Sequence, residues 1–264
     1  MFDFRKLFGY KSKFPEYKLG LLPKKEDVRT LRFASYLDLT ELPEPPESHN
    51  VVKDITDWKM FLNNQMGCCA ISAAGHMIMA WTDRTDKDYV PSDDQILTAY
   101  SAVSGYNPVT KENDRGCIML EALKYWRNSG IADRQISAFA ELDFQDNHEI
   151  KTAIYLFNGI YIGLQLPKIS KNQTGPGGIW SVPLYGNMFD GRKNSWGGHA
   201  VNVIGYDKDF VYCVTWGFIQ KMTWEFLKTY CGEAYAIISE DYIYCDKTIE
   251  GFDKTMLMED LNKI

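Results

Sequence analysis

The sequence predicts an α+β protein in which a helical lobe precedes a lobe built on a β-sheet. In the first half of the chain, apolar residues recur at helical spacing. In the second half, short runs rich in Ile, Val and Tyr are bounded by Gly, Pro and Asp, which is typical of strands. A long stretch rich in Gly, Pro and Asn, residues 175–194, is predicted as a loop between two of these runs. A cleft between two lobes is a natural ligand site.

Four stretches in the first part of the chain are predicted as helices. Residues 69–82 contain neither a charge nor a proline, and the absence of a polar face is typical of a buried helix. Ser92 is a typical N-cap residue and is followed by two aspartates, so a helix is predicted over residues 92–104. Residues 117–128 have apolar side chains at helical spacing, and residues 149–157 complete the set.

Four short runs rich in β-branched and aromatic residues are predicted as strands. Between the third and the fourth run, Thr223 is expected to cap a short helix. The runs cover residues 160–166, 200–206, 210–216 and 235–239.

Composition and charge restrict the classes of partner. The 264 residues include 29 Lys and Arg against 35 Asp and Glu, which gives a formal net charge of −6. This balance offers no electrostatic attraction to nucleic acid or to an anionic membrane, so neither is expected as a partner. The longest uncharged apolar stretch, residues 152–167, is too short and too interrupted to span a bilayer.

The cysteines and the first ten residues predict a cytoplasmic protein with free thiols. The first ten residues carry charges and lack the apolar core of a signal peptide. No cysteines form a CxxC pair, so neither a disulfide framework nor a metal site is predicted, and no cofactor is expected. The six cysteines stand at positions 68, 69, 117, 213, 231 and 245.

Three segments are predicted from changes in composition. Residues 1–50 are expected to form an extended arm, because they contain five prolines and clustered basic residues. Residues 51–245 form the predicted globular domain, and residues 246–264 a C-terminal tail. We expect the arm to run over the surface of the domain, or to bind a partner, with little secondary structure of its own.

Residues 64–73 place a cysteine where a loop enters the predicted buried helix. A thiol at a helix N-terminus has its thiolate stabilised by the helix dipole and by free N–H groups. The side-chain amide of Gln65, together with the backbone N–H of Cys69, is expected to form an oxyanion hole. Cys69 is the candidate nucleophile and the adjacent Cys68 is the alternative. Gly67 lets other backbone approach closely at this point.

Residues 196–206 place His199 at the start of an apolar strand, directly after two glycines. In this position the imidazole of His199 can face a cleft while the neighbouring side chains fill the core. The block therefore supplies a candidate general base for a cysteine nucleophile.

Together these blocks resemble the papain-like cysteine peptidases. The candidate cysteine and histidine are 130 residues apart (199 − 69), within the separation of roughly 130–150 residues that the family shows. The resemblance implies a papain-like two-lobed fold, in which a helical lobe is followed by an antiparallel sheet lobe. The chain is also similar to divergent papain-like proteins of tailed phages. The matching segments are residues 65–69, 114–117 with 122–126 and 130–131, 150–164, and 198–201 with 205–206 and 216–217.

The chain departs from the family pattern in three places. Around the nucleophile, only the Gly and the final Cys of the family motif match, which favours Cys69 over Cys68. Gln65 stands closer to the nucleophile than the family usually has it. Where the family carries an Asn on the strand after the His, this chain has Thr215. The hydroxyl of Thr215 is the candidate to orient His199, more weakly than the family's Asn.

The resemblance implies a papain-like thiol hydrolase that cleaves peptide or related amide bonds through a Cys-His dyad. Its expected partner is a peptide or protein substrate. The alternative is a catalytically weak or inactive structural protein on the same fold, for example a phage virion component that docks through its arm. The arm over residues 1–50 is shorter than the family's usual inhibitory propeptide.

Overall fold

The computed structural model describes residues 17–36, 42–183, 190–244 and 247–248. Parts of four predictions lie outside these residues. They are residues 1–16 and 37–41 of the predicted arm, residues 184–189 of the predicted loop, the free thiol expected at Cys245, and nearly all of the predicted C-terminal tail.

Helices and strands follow one another in the predicted order, helices first and most strands second. The helices are α1 (Phe33–Tyr36), α2 (Cys69–Arg84), α3 (Asp93–Ser104), α4 (Met119–Asn128), α5 (Asn147–Leu156) and α6 (Trp224–Tyr230), with two short 3-10 helices at Lys168–Asn172 and Glu240–Tyr242. The strands are β1 (Leu31–Arg32), β2 (His49–Asn50), β3 (Ala138–Glu141), β4 (Ile160–Leu166), β5 (Ile179–Trp180), β6 (Gly197–Tyr206), β7 (Phe210–Thr215), β8 (Phe218–Thr223), β9 (Cys231–Ile238), β10 (Ile243–Tyr244) and β11 (Lys247–Thr248).

A large sheet forms the second half of the molecule and confirms the predicted α+β class. Its strands lie in the order β1-β3-β9-β4-β6-β7-β8-β5, with β2 paired to β6 outside this path. The long strands pair antiparallel, as predicted, and Leu164 of β4 stands opposite His199 of β6. Only the two-residue pairs at the ends of this order, β1 with β3 and β5 with β8, are parallel.

Helix α2 connects the helical part of the molecule to the sheet. Every residue from Cys69 to Asp83 is buried, so the helix needs no polar face, as the sequence predicts. It packs against β6, the strand that carries His199. This packing places the first turn of α2 beside the beginning of β6.

Helix α3 illustrates how local sequence sets a helix boundary. The hydroxyl of Ser92 accepts a hydrogen bond from the backbone N–H of Gln95, whose side chain in turn accepts from the N–H of Ser92. At the other end, Gly105 has a φ of 75°, a left-handed conformation that glycine adopts without strain. Among the described residues, no helix is long and apolar enough to cross a membrane.

Candidate active site

The two adjacent cysteines have separate environments at the start of α2. Cys69 is the first helical residue, and its sulfur accepts a hydrogen bond from the backbone N–H of Ala200 at 3.5 Å. The thiol of Cys68 instead donates to the carbonyl oxygen of Phe61 at 3.3 Å and lies 3.3 Å from the hydroxyl of Ser72. Cys69 therefore contacts the strand that carries His199, whereas Cys68 contacts the loop before the helix.

His199 contacts the hydroxyl that the sequence predicts as its orienting group. Its Nε2 lies 2.6 Å from Oγ1 of Thr215, and both residues are buried. The ring of Trp216 stacks on the imidazole at a centroid distance of 4.0 Å and an angle of 11°. The other ring nitrogen, Nδ1, is buried and has no hydrogen-bond partner. A threonine hydroxyl both donates and accepts, so it fits either tautomer of the imidazole.

The loop before α2 carries two carboxamides. Gln65 is exposed, and its backbone N–H donates to the carbonyl of Leu62 at 2.8 Å. Asn63, two residues earlier, is buried, and its side-chain amide donates to the carbonyl of Met66 at 3.3 Å. Sequence reasoning missed Asn63. Its position just before a buried Gly-Cys-Cys stretch was the available signal.

The side chain of Asp114, an exposed residue, connects two neighbouring loops. One oxygen of Asp114 accepts from the backbone N–H of Gly67 at 2.9 Å and also from the phenol of Tyr100. The phenol oxygen of Tyr100 accepts from the backbone N–H of Gly116 at 3.2 Å. The positions of Gly67 and Gly116 are thus coupled through one side-chain pair, which the sequence analysis did not identify.

Residues 17–22, which we call the cleft segment, lie across the site between the two lobes. The backbone N–H groups of Gly20 and Leu21 donate to the carbonyl of Gly198 at 3.3 and 3.1 Å. On the opposite side, the N–H of Cys117 donates to the carbonyl of Gly20 at 2.8 Å, and Leu22 donates to the carbonyl of Cys117 at 2.9 Å. The segment thus packs on the domain, with residues 17–21 half-buried and Leu22 exposed.

The cleft segment also covers the candidate dyad. The backbone N–H groups of Gly20 and Ala200 are both directed at the sulfur of Cys69. The carbonyl of Lys18 accepts from the indole N–H of Trp216 at 3.1 Å, next to the imidazole that this indole covers. The segment thus presents a backbone N–H to the thiol.

Burial shifts both titrating groups of the candidate dyad away from charge. It raises the pKa of the Cys69 thiol to about 11, against the smaller opposing effect of the backbone N–H groups around the sulfur. It lowers the pKa of His199 to about 3. Near pH 7, both groups are therefore neutral in the covered site. In the covered site, desolvation outweighs the effect of the backbone N–H groups at the helix N-terminus on the pKa of the Cys69 thiol.

The fold is that of the papain-like cysteine proteases, as solved structures show. Xylellain, a cysteine protease from Xylella fastidiosa, aligns with a TM-score of 0.61 at 14% identity, over 85% of this chain and 97% of that one. A procathepsin B from Trypanosoma congolense aligns with a TM-score of 0.56 at 14% identity, over 84% and 86% of the two chains.

A further similar structure is a digestive procathepsin L2 from the larval midgut of Tenebrio molitor. It aligns with a TM-score of 0.56 at 14% identity, over 85% of this chain and 79% of that one. No family model matches the sequence, and no curated protein matches it. The similarity therefore lies in the fold.

Proposed function

We propose that the protein is a thiol hydrolase that cleaves peptide or related amide bonds with Cys69 as nucleophile and His199 as its base and acid. The observation that carries this proposal is the arrangement of the two residues. The thiol stands in the first turn of α2 and is bonded to the residue after His199, while Thr215 holds the far side of the imidazole. Cys68 is a poor competitor, because its thiol is occupied by Phe61 and Ser72.

The proposed reaction has two halves. The proton of the Cys69 thiol passes to His199, and the sulfur attacks the carbonyl carbon of the substrate. When the tetrahedral intermediate collapses, the C–N bond breaks and His199 gives its proton to the leaving amine. A water molecule, deprotonated by His199, then attacks the thioester, which releases the acid and restores the thiol. Thr215 keeps the ring oriented through both halves.

The oxyanion that forms in each half needs N–H donors. The backbone N–H of Cys69 is one, since the first N–H groups of a helix have no partner within the helix. The second proposed donor is the side chain of Gln65, as the sequence predicts. The buried amide of Asn63 competes for the same role, because it lies on the same loop and is already held in place by Met66.

The described form is the resting form under this proposal. The cleft segment directs the N–H of Gly20 at the sulfur, and the carbonyl oxygen of Gly20 accepts a hydrogen bond from the N–H of Cys117. Turnover requires the segment to leave the cleft. Water and substrate then replace it, and the thiol loses part of the desolvation that raises its pKa.

Alkylation by iodoacetamide, mapped by mass spectrometry, tests this function without depending on a substrate. In protein lacking residues 1–22, we expect rapid labelling at Cys69 that persists in Cys68→Ser and is lost in Cys69→Ser. His199→Ala should slow it by about 100-fold, as expected when a base is removed. Labelling that moves to Cys68 would reassign the nucleophile. If no thiol reacts rapidly and His199→Ala changes nothing, the structural alternative holds.

No feature of the described residues favours the alternative of an inactive structural protein. A phage virion role, and a partner bound through the arm, remain predictions from the sequence alone. The cytoplasmic location is likewise a prediction from the sequence alone.

A further inference from the structure

The cleft segment passes between five glycines, Gly67, Gly116, Gly163, Gly197 and Gly198, and its own residue at the narrowest point, Gly20, is a sixth. A Cβ built on Gly20 would lie 1.9 Å from the carbonyl oxygen of Gly67, and one built on Gly116 would lie 1.9 Å from the carbonyl oxygen of Gly20. A Cβ on Gly198 would lie 2.2 Å from the carbonyl oxygen of Leu21. We call the space between Gly67, Gly116 and Gly198 the glycine gap.

The glycine gap cannot widen by a side-chain rotation, because every atom in these contacts belongs to the backbone. Gly67 and Gly116 are held by the hydrogen bonds that their backbone N–H groups donate to Asp114 and Tyr100. Tyr100 is fully buried, which restricts its movement, whereas Asp114 is exposed. A methyl group at position 20 would lie 1.9 Å from its nearest atom, which is about 1 Å closer than the shortest ordinary carbon contacts. The backbone would have to move by about this amount to admit it.

The space on either side of the gap accepts branched apolar side chains. Leu19 lies against Gly197, where a Cβ would stand 2.8 Å from its Cδ1. Leu21 lies against Gly163 on β4, where a Cβ would stand 2.7 Å from its Cδ2. Because Gly197 and Gly163 have no side chains, there is room for Leu19 and Leu21.

The hydrogen bonds along the segment do not depend on its side chains. Gly198 and Cys117 offer backbone groups that any extended peptide can use. Selectivity among extended peptides must therefore come from steric and side-chain contacts, which are the glycine gap, the two leucine spaces and the contact of Tyr17 with the ring of Trp216.

We propose that the cleft selects extended peptides with glycine at the narrow point and leucine on each side, and that residues 19–21 are an internal copy of this ligand. The proposal rests on the proposed function, because it names the substrate class of the same site. Only a residue without a Cβ, which is glycine, fits between Gly67 and Gly116.

Peptide binding to the full chain tests this selectivity independently of catalysis. Gly20→Ala should expel the cleft segment, and since Gly20 lacks a positive φ, the variant reports the steric contact alone. We would titrate this variant with two capped peptides, Tyr-Lys-Leu-Gly-Leu-Leu and Tyr-Lys-Leu-Ala-Leu-Leu, by calorimetry. The alanine peptide should bind at least about tenfold more weakly, a difference of roughly 1.4 kcal/mol.

Protection of Cys69 from iodoacetamide gives a second measurement. Cys69 of the Gly20→Ala variant should react with iodoacetamide faster than Cys69 of the wild type. Addition of the glycine peptide should make this labelling slow again. Leu22→Ala is the matched control, because it keeps the segment in place. Equal affinity for both peptides, or slow labelling in Gly20→Ala, would overturn the proposal. Should Gly20→Ala fail to fold, the double variant Leu19→Ser with Leu21→Ser loosens the segment without added bulk. A clear preference for the glycine peptide, together with Cys69 labelling that His199→Ala leaves unchanged, would contradict only the proposed function.

Discussion

Two stretches of the N-terminal arm are attached to the domain in different ways. The cleft segment (residues 17–22) crosses the face of the molecule and bonds to loops of both lobes. The edge stretch (residues 31–50) adds short strands to the sheet, Leu31 opposite Ala140 and His49 opposite Tyr206, as far as its residues are described. The first covers the proposed Cys69–His199 dyad, and the second extends the edge of the sheet. Under the proposed function, attachment to the sheet contributes stability, whereas attachment in the cleft controls access to Cys69.

Removing residues 1–22, and with them the cleft segment, should have the largest effect on access to Cys69. The cleft segment is held by several backbone hydrogen bonds and two leucine contacts, each worth about 1 kcal/mol. We therefore expect the rate of Cys69 alkylation at pH 7.5 to rise about 100-fold or more. Removing residues 1–16 alone is the control and should leave the rate unchanged. Equal rates in the two truncated proteins would mean that the segment does not restrict access.

Phe33→Ala should act on stability and leave the site unchanged. Phe33 is buried, and its ring meets that of Phe157 edge-on at 5.6 Å. Loss of this contact and the resulting cavity should lower the free energy of unfolding by about 3–4 kcal/mol, measured by urea denaturation. Val28→Ala, at a fully exposed position, is the control. A marked increase in Cys69 alkylation of native Phe33→Ala protein would show that the two stretches are coupled.

Leu21→Ala should weaken the cleft segment without displacing it completely. The side chain of Leu21 is half-buried against Gly163, so its truncation should cost about 1–1.5 kcal/mol of segment binding. The rate of Cys69 alkylation should then rise about tenfold. Leu22→Ala, which removes an exposed side chain, should change the rate by less than about twofold.

Glu233→Gln should give the smallest effect and one that depends on pH. Burial raises the pKa of Glu233 to about 7, against the opposing hydrogen bond from Tyr235. Because the folded-state pKa lies above the unfolded one, the stability contributed by the protonated form is present below about pH 4.5 and is lost as the pH rises through 7. The glutamine variant should therefore become more stable relative to the wild type as the pH rises. The difference between their free energies of unfolding should shift in favour of the variant by about 1–2 kcal/mol between pH 4 and pH 8. If the melting temperatures of the variant and the wild type change with pH in parallel, Glu233 does not titrate with a raised pKa.

Local sequence predicts some parts of this fold better than others. Helix α2 is predictable because its residues are apolar on all sides, and α3 because Ser92 and Gln95 form a capping pair. Strand β4 has the bounds that the sequence predicts, since its β-branched run is closed by Pro167. The short strands of the arm were missed, because two residues carry no detectable alternation.

The candidate site divides in the same way. Gly67, Cys69 and His199 were found because each stands at a boundary between elements, where the pattern of the sequence changes. Asp114 and Tyr100 were missed, because an aspartate in a loop and a tyrosine in a helix are ordinary until they share a hydrogen bond.

The sequence by itself determined the order of helices and strands and the placement of a thiol at a helix start and an imidazole at a strand start. Only the tertiary structure decided what covers them. The contacts of Gly20 with Gly67, Gly116 and Gly198 join residues far apart along the chain, and no local pattern encodes such a meeting. Their physical reason is steric: four backbones approach closely at one place, and glycine is the residue that permits it.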